Sequence, residues 1–119
     1  MSYLLWDRPI IRLFVVAFVL IGYSMGFARS NERGMLWQRG EALAKKMCAS
    51  CHAIGHMDES PHTGVPPFRS LDRRLDLDSF IGRLNEGLTS GHPDMPTFRF
   101  SRQDARAFVA YLRSIQGGP

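Results

Sequence analysis

The sequence predicts an all-α domain of about four short helices, and three observations carry that prediction. Apolar residues recur at i, i+3, i+4 and i+7 in two stretches, Leu77-Phe80-Ile81-Leu84 and Ala105-Phe108-Val109-Leu112, the period of a helix with one buried face. No segment of any length alternates apolar and polar residues as a half-buried strand would. The stretch Cys48-Ala49-Ser50-Cys51-His52 sets two thiols three residues apart, on one face of a helical turn, with an imidazole directly after them.

That last stretch reads C-x-x-C-H, the attachment sequence for c-type haem. Thiols at this spacing can meet the two vinyl groups along one porphyrin edge and form thioethers. His52 then falls beneath the iron, and neutral imidazole is a common proximal ligand. Three other chemistries use similar residues. A thioredoxin-like dithiol expects a βαβ context, which is lacking here. Zinc needs four ligands, and Cys48 and Cys51 with two histidines would supply them, yet no second C-x-x-C or paired-His motif occurs. A disulfide between residues three apart closes too small a loop to stabilise much. The two cysteines are the only ones in the chain, which excludes a disulfide scaffold.

The 119 residues suggest one domain, and hydrophobic content is an ordinary 45% but unevenly spread. Arg8 and Arg12 precede an apolar run from Leu13 to Met25, and Gly26-Phe27-Ala28 follows with small residues at the −3 and −1 positions. This is the pattern of a secretory signal peptide with cleavage after Ala28, so the domain is expected at residues 29–119. The alternative is an uncleaved membrane anchor. Residues 10–27 are about the shortest apolar length that spans a bilayer, with Arg29 and Arg33 just beyond. Either way the domain is exported, with a periplasmic location expected or anchorage to the inner membrane facing the periplasm. Residues 29–119 hold 13 basic and 10 acidic side chains, a charge of +3 before two haem propionates subtract from it. No basic stretch interleaved with aromatics points to nucleic acid. About 90 residues build only a modest core, so a buried haem would link folding to cofactor binding.

After a polar lead-in over Arg29–Met35, a first helix is expected from about Leu36 to Cys48, with Leu36, Gly40, Leu43, Ala44 and Met47 on one face. Gly40 costs roughly 1 kcal/mol there against Ala, which close approach by another helix would justify. A polar loop spans His56–Gly64. Its Met57 and His62 are potential iron ligands by type, but they follow His52 too closely to reach the opposite haem face, and they read as loop residues. Val65-Pro66-Pro67-Phe68 is held extended by its prolines, which frees a carbonyl to accept from the unligated ring nitrogen of His52. Arg69–Leu75 reads as a short helix or turn. Asp76 caps the next helix and Gly87 stops it.

Gly91-His92-Pro93-Asp94-Met95-Pro96-Thr97-Phe98-Arg99-Phe100 has no helical or strand period and forms a shaped loop. Met95 is either apolar filler or the soft thioether that partners histidine in electron-carrying haem proteins, and His92 is the competing ligand. Ser101-Arg102-Gln103-Asp104 is a capping-box variant that opens the last helix, and Gly117-Gly118-Pro119 closes it.

Together these pieces resemble a class I cytochrome c of the short bacterial monohaem type, over roughly residues 36–116. The matching stretches are Gly40–Met47 running into Cys48–His52, then Val65–Phe68, Gly91–Pro96 and Phe108-Val109-Ala110-Tyr111-Leu112. The resemblance implies one covalent haem c on Cys48 and Cys51, with His52 as proximal and Met95 as distal iron ligand. It implies that the Pro66 carbonyl accepts from His52, and that Phe68 and Phe98 pack against the haem or support its ligands. Gly40 and Ala44 would lie where the first helix crosses the last, against Tyr111. The family often has an aromatic at the position of Ala44, so a looser crossing is expected.

The activity implied is one-electron transfer between periplasmic or membrane redox proteins, without enzymatic chemistry. Docking is expected through a basic rim drawn from Lys45, Lys46, Arg69, Arg73, Arg74 and Arg99. Two alternatives remain at this level: an electron-transfer subunit dedicated to one dehydrogenase or oxidase complex, and a haem sensor with a labile sixth ligand.

Overall fold

The computed structural model describes residues 8–89 and 94–117, and for residues 8–13, 21 and 23–28 the backbone alone. His92, the competing ligand, and residues 1–7 of the export segment lie outside the described residues. The elements in order are α1 (Arg8–Met47), a 3-10 helix (Phe68–Arg73), α2 (Leu77–Glu86) and α3 (Arg102–Ile115). Among the described residues there is no strand, only an isolated antiparallel bridge between Leu88 and Phe98, so the all-α prediction is met.

The chain divides into two compact units, Met1–Gly34 and Met35–Pro119. In the first, Phe14, Val15, Val16, Phe18, Val19 and Leu20 are all exposed. Among the described residues, no helix is long and apolar enough to cross a membrane. The expected polar lead-in is itself helical, because α1 continues through residues 29–35. No proline interrupts it, and an exposed glycine such as Gly34 weakens a helix by about 1 kcal/mol without breaking it.

The second unit carries the core. Asp76 caps α2 by accepting from the backbone N–H of Asp78 (3.1 Å) and Ser79 (3.0 Å). Gly87 ends that helix at φ 119°, a conformation L side chains rarely adopt. Ser101 caps α3: its Oγ accepts from Asp104 N–H (3.1 Å) and donates to the Asp104 carboxylate (2.7 Å). The apolar faces so positioned bury Phe80 and Leu84 of α2 against Ala105, Phe108, Val109, Leu112 and Ile115 of α3, with Phe68 and Leu71 of the 3-10 helix in the same cluster. At the end of α3 the Gln116 amide donates to the carbonyls of Phe68 (2.8 Å) and Leu112 (2.6 Å), tying the 3-10 helix to α3.

Residues 35–47 of α1 cross α3 at Gly40. A Cβ there would overlap the Ala107 carbonyl oxygen and lie 2.7 Å from Tyr111 Cβ, so close helix approach is the reason for this glycine. Ala44 beside it is fully buried, and the crossing is close rather than loose. Trp37, one turn earlier, packs edge-on against Tyr111 (centroids 5.8 Å) and donates to Ser114 Oγ (2.8 Å). Arg39 pairs with Asp104 at 2.7 Å.

Candidate cofactor site

The end of α1 delivers the two thiols. Cys48 N–H still bonds to Ala44 carbonyl (2.9 Å), and one more turn follows in which the Cys48 carbonyl accepts from both Cys51 N–H (3.1 Å) and His52 N–H (2.9 Å). This last turn puts Cys48, Cys51 and His52 on one wall of a cavity of about 400 Å³. The following loop is fastened by its own polar side chains. Asp58 accepts from Ile54 N–H (3.0 Å) and Gly55 N–H (2.8 Å), and Ser60 Oγ accepts from Ala53 N–H (3.0 Å). Tyr111 of α3 donates its hydroxyl hydrogen to Ile54 carbonyl at 2.7 Å, anchoring the segment just past His52 to the last helix.

The prolines act as their chemistry demands. Pro67 is extended at φ −68°, ψ 147°, and Phe68 N–H bonds to Ala53 carbonyl at 2.9 Å. The Pro66 carbonyl is thereby presented to His52, whose Nδ1 donates to it across 2.9 Å. With the proton on Nδ1, Nε2 keeps its lone pair for a metal. The Phe68 ring, 4.8 Å from that of His52, backs the imidazole.

Met95 and Phe98, contributed by the loop before α3, line the same cavity, and Met95 packs against the core. The Phe98 backbone is held by its bridge to Leu88. Phe98 stacks on Phe100, Phe100 meets Phe108, and Phe108 meets Phe68, with centroid separations of 6.3, 5.5 and 5.7 Å. An aromatic series thus runs from the Met95 loop round to His52. Among residues singled out from the sequence, Met57 is 74% exposed and does not line the cavity. His62 is exposed but reaches the cavity rim, brought there by its N–H bond to Cys51 carbonyl (3.3 Å).

Burial pushes the Cys48 thiol up to about 11, with Cys51 beside it adding to the shift, so Cys48 is a neutral thiol at physiological pH. Among the described residues no group of three or more His, Cys, Asp or Glu side chains could hold a metal ion, which leaves no polydentate zinc site there. The donor set instead suits haem: two unpaired thiols, an imidazole oriented through Nδ1, a thioether, and walls that are mostly apolar. None of the six residues expected to form a basic rim lines the cavity. The one Lys or Arg among the described residues that does is Arg83, which no sequence motif marks. Its only sequence signal is its place on α2, beside Leu84 and three residues after Phe80.

Comparison with known proteins gives the same picture. Residues 36–112 match the family model described as cytochrome c oxidase, cbb3-type, subunit III. The chain is similar to cytochrome c-552 of Bradyrhizobium diazoefficiens, with 39% identity over 77 residues, covering 65% of this chain and 72% of the relative. No solved structure matches it significantly.

Proposed function

The chain belongs to the monohaem cytochrome c family, and on that premise we propose that it is a one-electron carrier with haem c held by Cys48 and Cys51 and ligated by His52 and Met95. The observation that supports this best is that both thiols, the Nδ1-tethered imidazole and the thioether border one mostly apolar cavity. Bound haem supplies a one-electron ferric–ferrous couple. The chain does the rest. The Pro66 carbonyl fixes the plane of His52 and raises its basicity as a ligand. Met95 offers a soft sulfur that favours the reduced state. Phe68, Phe80, Leu84 and Phe108 exclude water, which disfavours the additional positive charge of the oxidised state. His52 and Met95 together would supply the iron's protein ligands and leave no donor site for a substrate, in keeping with a carrier and not an enzyme.

The test is the visible spectrum of protein produced with a c-type maturation system, oxidised and then reduced. Colour that survives acid-acetone extraction, with the weak far-red band of ferric iron bound to Met sulfur, is the expected result. Met95→Ala should keep the covalent haem, lose that band and lower the midpoint potential. An unchanged spectrum in that variant would exclude Met95 as ligand and direct attention to His92 or to a sensor with a labile site.

The matched family description names an oxidase subunit, and this favours a second reading, an electron-transfer subunit bound to one complex. Co-purification with an oxidase from the native membrane would select it; a free carrier would separate in high salt. In both readings residues 1–28 direct export to the periplasmic side, as signal peptide or anchor. Mass spectrometry of the mature chain distinguishes these by the presence or absence of Arg29 as N-terminus.

A further inference from the structure

Arg83 stands on α2 three residues after Phe80 and beside Leu84, both of them buried and both lining the cofactor cavity. Arg83 is exposed to solvent, but its guanidinium lies over the Phe80 ring, 5.8 Å from the centroid, which keeps its charge beside the cavity wall. Among the described residues, Asp94 also lines the cavity.

We propose that Arg83 is the electrostatic tuning residue of this redox site, a fixed positive charge at the cavity wall that raises the midpoint potential. The inference rests on the haem reading above. A cation beside a redox centre opposes the state with the additional positive charge and so favours the reduced form; the effect weakens with distance and with exposure to salt. Arg suits this task because it stays charged at every working pH and can rest on an aromatic face. It is a positioning residue for charge, with no role as a ligand.

The experiment measures midpoint potentials of the holoprotein and of Arg83→Lys, Arg83→Gln and Arg83→Glu at low and high salt, each with its visible spectrum. Arg83→Lys should stay near wild type. Arg83→Gln should fall by up to about tenfold in the oxidation equilibrium, or ~59 mV for one electron, and Arg83→Glu should fall further. High salt should narrow the series. Equal potentials across the four proteins overturn the proposal, as does a fall in Arg83→Lys as large as in Arg83→Gln, which would mark a packing role. A fall accompanied by loss of the sulfur-to-iron band also overturns it, because the ligand would then have changed. A wild-type protein without covalent haem would instead overturn the underlying reading of the site, and the tuning role with it.

Discussion

Replacing Gly40 by alanine tests the helix crossing on which the site is built. At an ordinary helical position the change would stabilise the protein, since glycine costs about 1 kcal/mol against alanine in a helix interior. Here the new Cβ would overlap the Ala107 carbonyl oxygen and lie 2.7 Å from both the Ala107 carbonyl carbon and Tyr111 Cβ. Two of these three atoms are backbone, and no flexible side-chain tip can swing aside. Relief requires the helices to separate at the crossing. That movement would strain the Trp37 bond to Ser114 and the Tyr111 bond to Ile54, the second of which anchors the segment after His52. Overpacking of this kind costs roughly 1–3 kcal/mol and more where backbone cannot yield, so after the propensity gain a net loss of about 2 kcal/mol is expected. For a domain of this size it amounts to a fall of about 10 °C in Tm. Gly82, inside α2 with nothing within 4 Å of its missing Cβ, is the matched control: Gly82→Ala should stabilise by up to about 1 kcal/mol. Urea unfolding of the two holoproteins, followed by far-UV circular dichroism, decides the matter. If Gly40→Ala is as stabilising as Gly82→Ala, the close crossing does not exist and the account of α1 and α3 is wrong.

Two further predictions concern other parts of the fold. The hydrogen bond from Arg39, reinforced by Ser101, holds the Asp104 carboxyl below the usual carboxylate range. Its contribution is therefore present above an unfolded value of about 3.9 and lost as pH falls through the lower folded value; Asp104→Asn should lower the urea midpoint at about pH 6, and that difference should shrink as pH is lowered below the unfolded value, so a difference that stays constant as pH falls would refute the linkage. Phe68→Ala removes a ring that is 4% exposed and touches both His52 and Phe108, and should cost about 3–5 kcal/mol in unfolding free energy; a loss under about 1 kcal/mol would mean the ring is not part of the core.

Much of the site is legible in the sequence because its chemistry is local. Cys48, Cys51 and His52 are placed by a single helical turn, and Asp76, Gly87 and Ser101 mark helix ends through bonds to residues no more than four positions away. Residues 29–35 read as a non-helical lead-in because polar residues without an apolar stripe look like a loop, yet nothing there breaks a helix and α1 runs through them. Surface charge has a related limit. Counting exposed cations says nothing about which of them borders the cavity, and the one among the described residues that does, Arg83, sits between Phe80 and Leu84, where no charge cluster draws notice.

The helical class, the capped ends of α2 and α3, the C-x-x-C-H turn and the extended proline segment all follow from the order of residues, because each depends on backbone preferences and side-chain spacing within a few positions. Only the packed fold settles that Gly40 meets Ala107, that the Pro66 carbonyl faces Nδ1 of His52, that the Met95 loop closes on the same cavity as the thiols, and that Arg83 is held over Phe80. All but the last of these join residues far apart in the chain, and the last depends on which side of α2 borders the cavity. Which distant groups meet is set by how whole apolar faces pack, a property of the assembled core that no local pattern encodes.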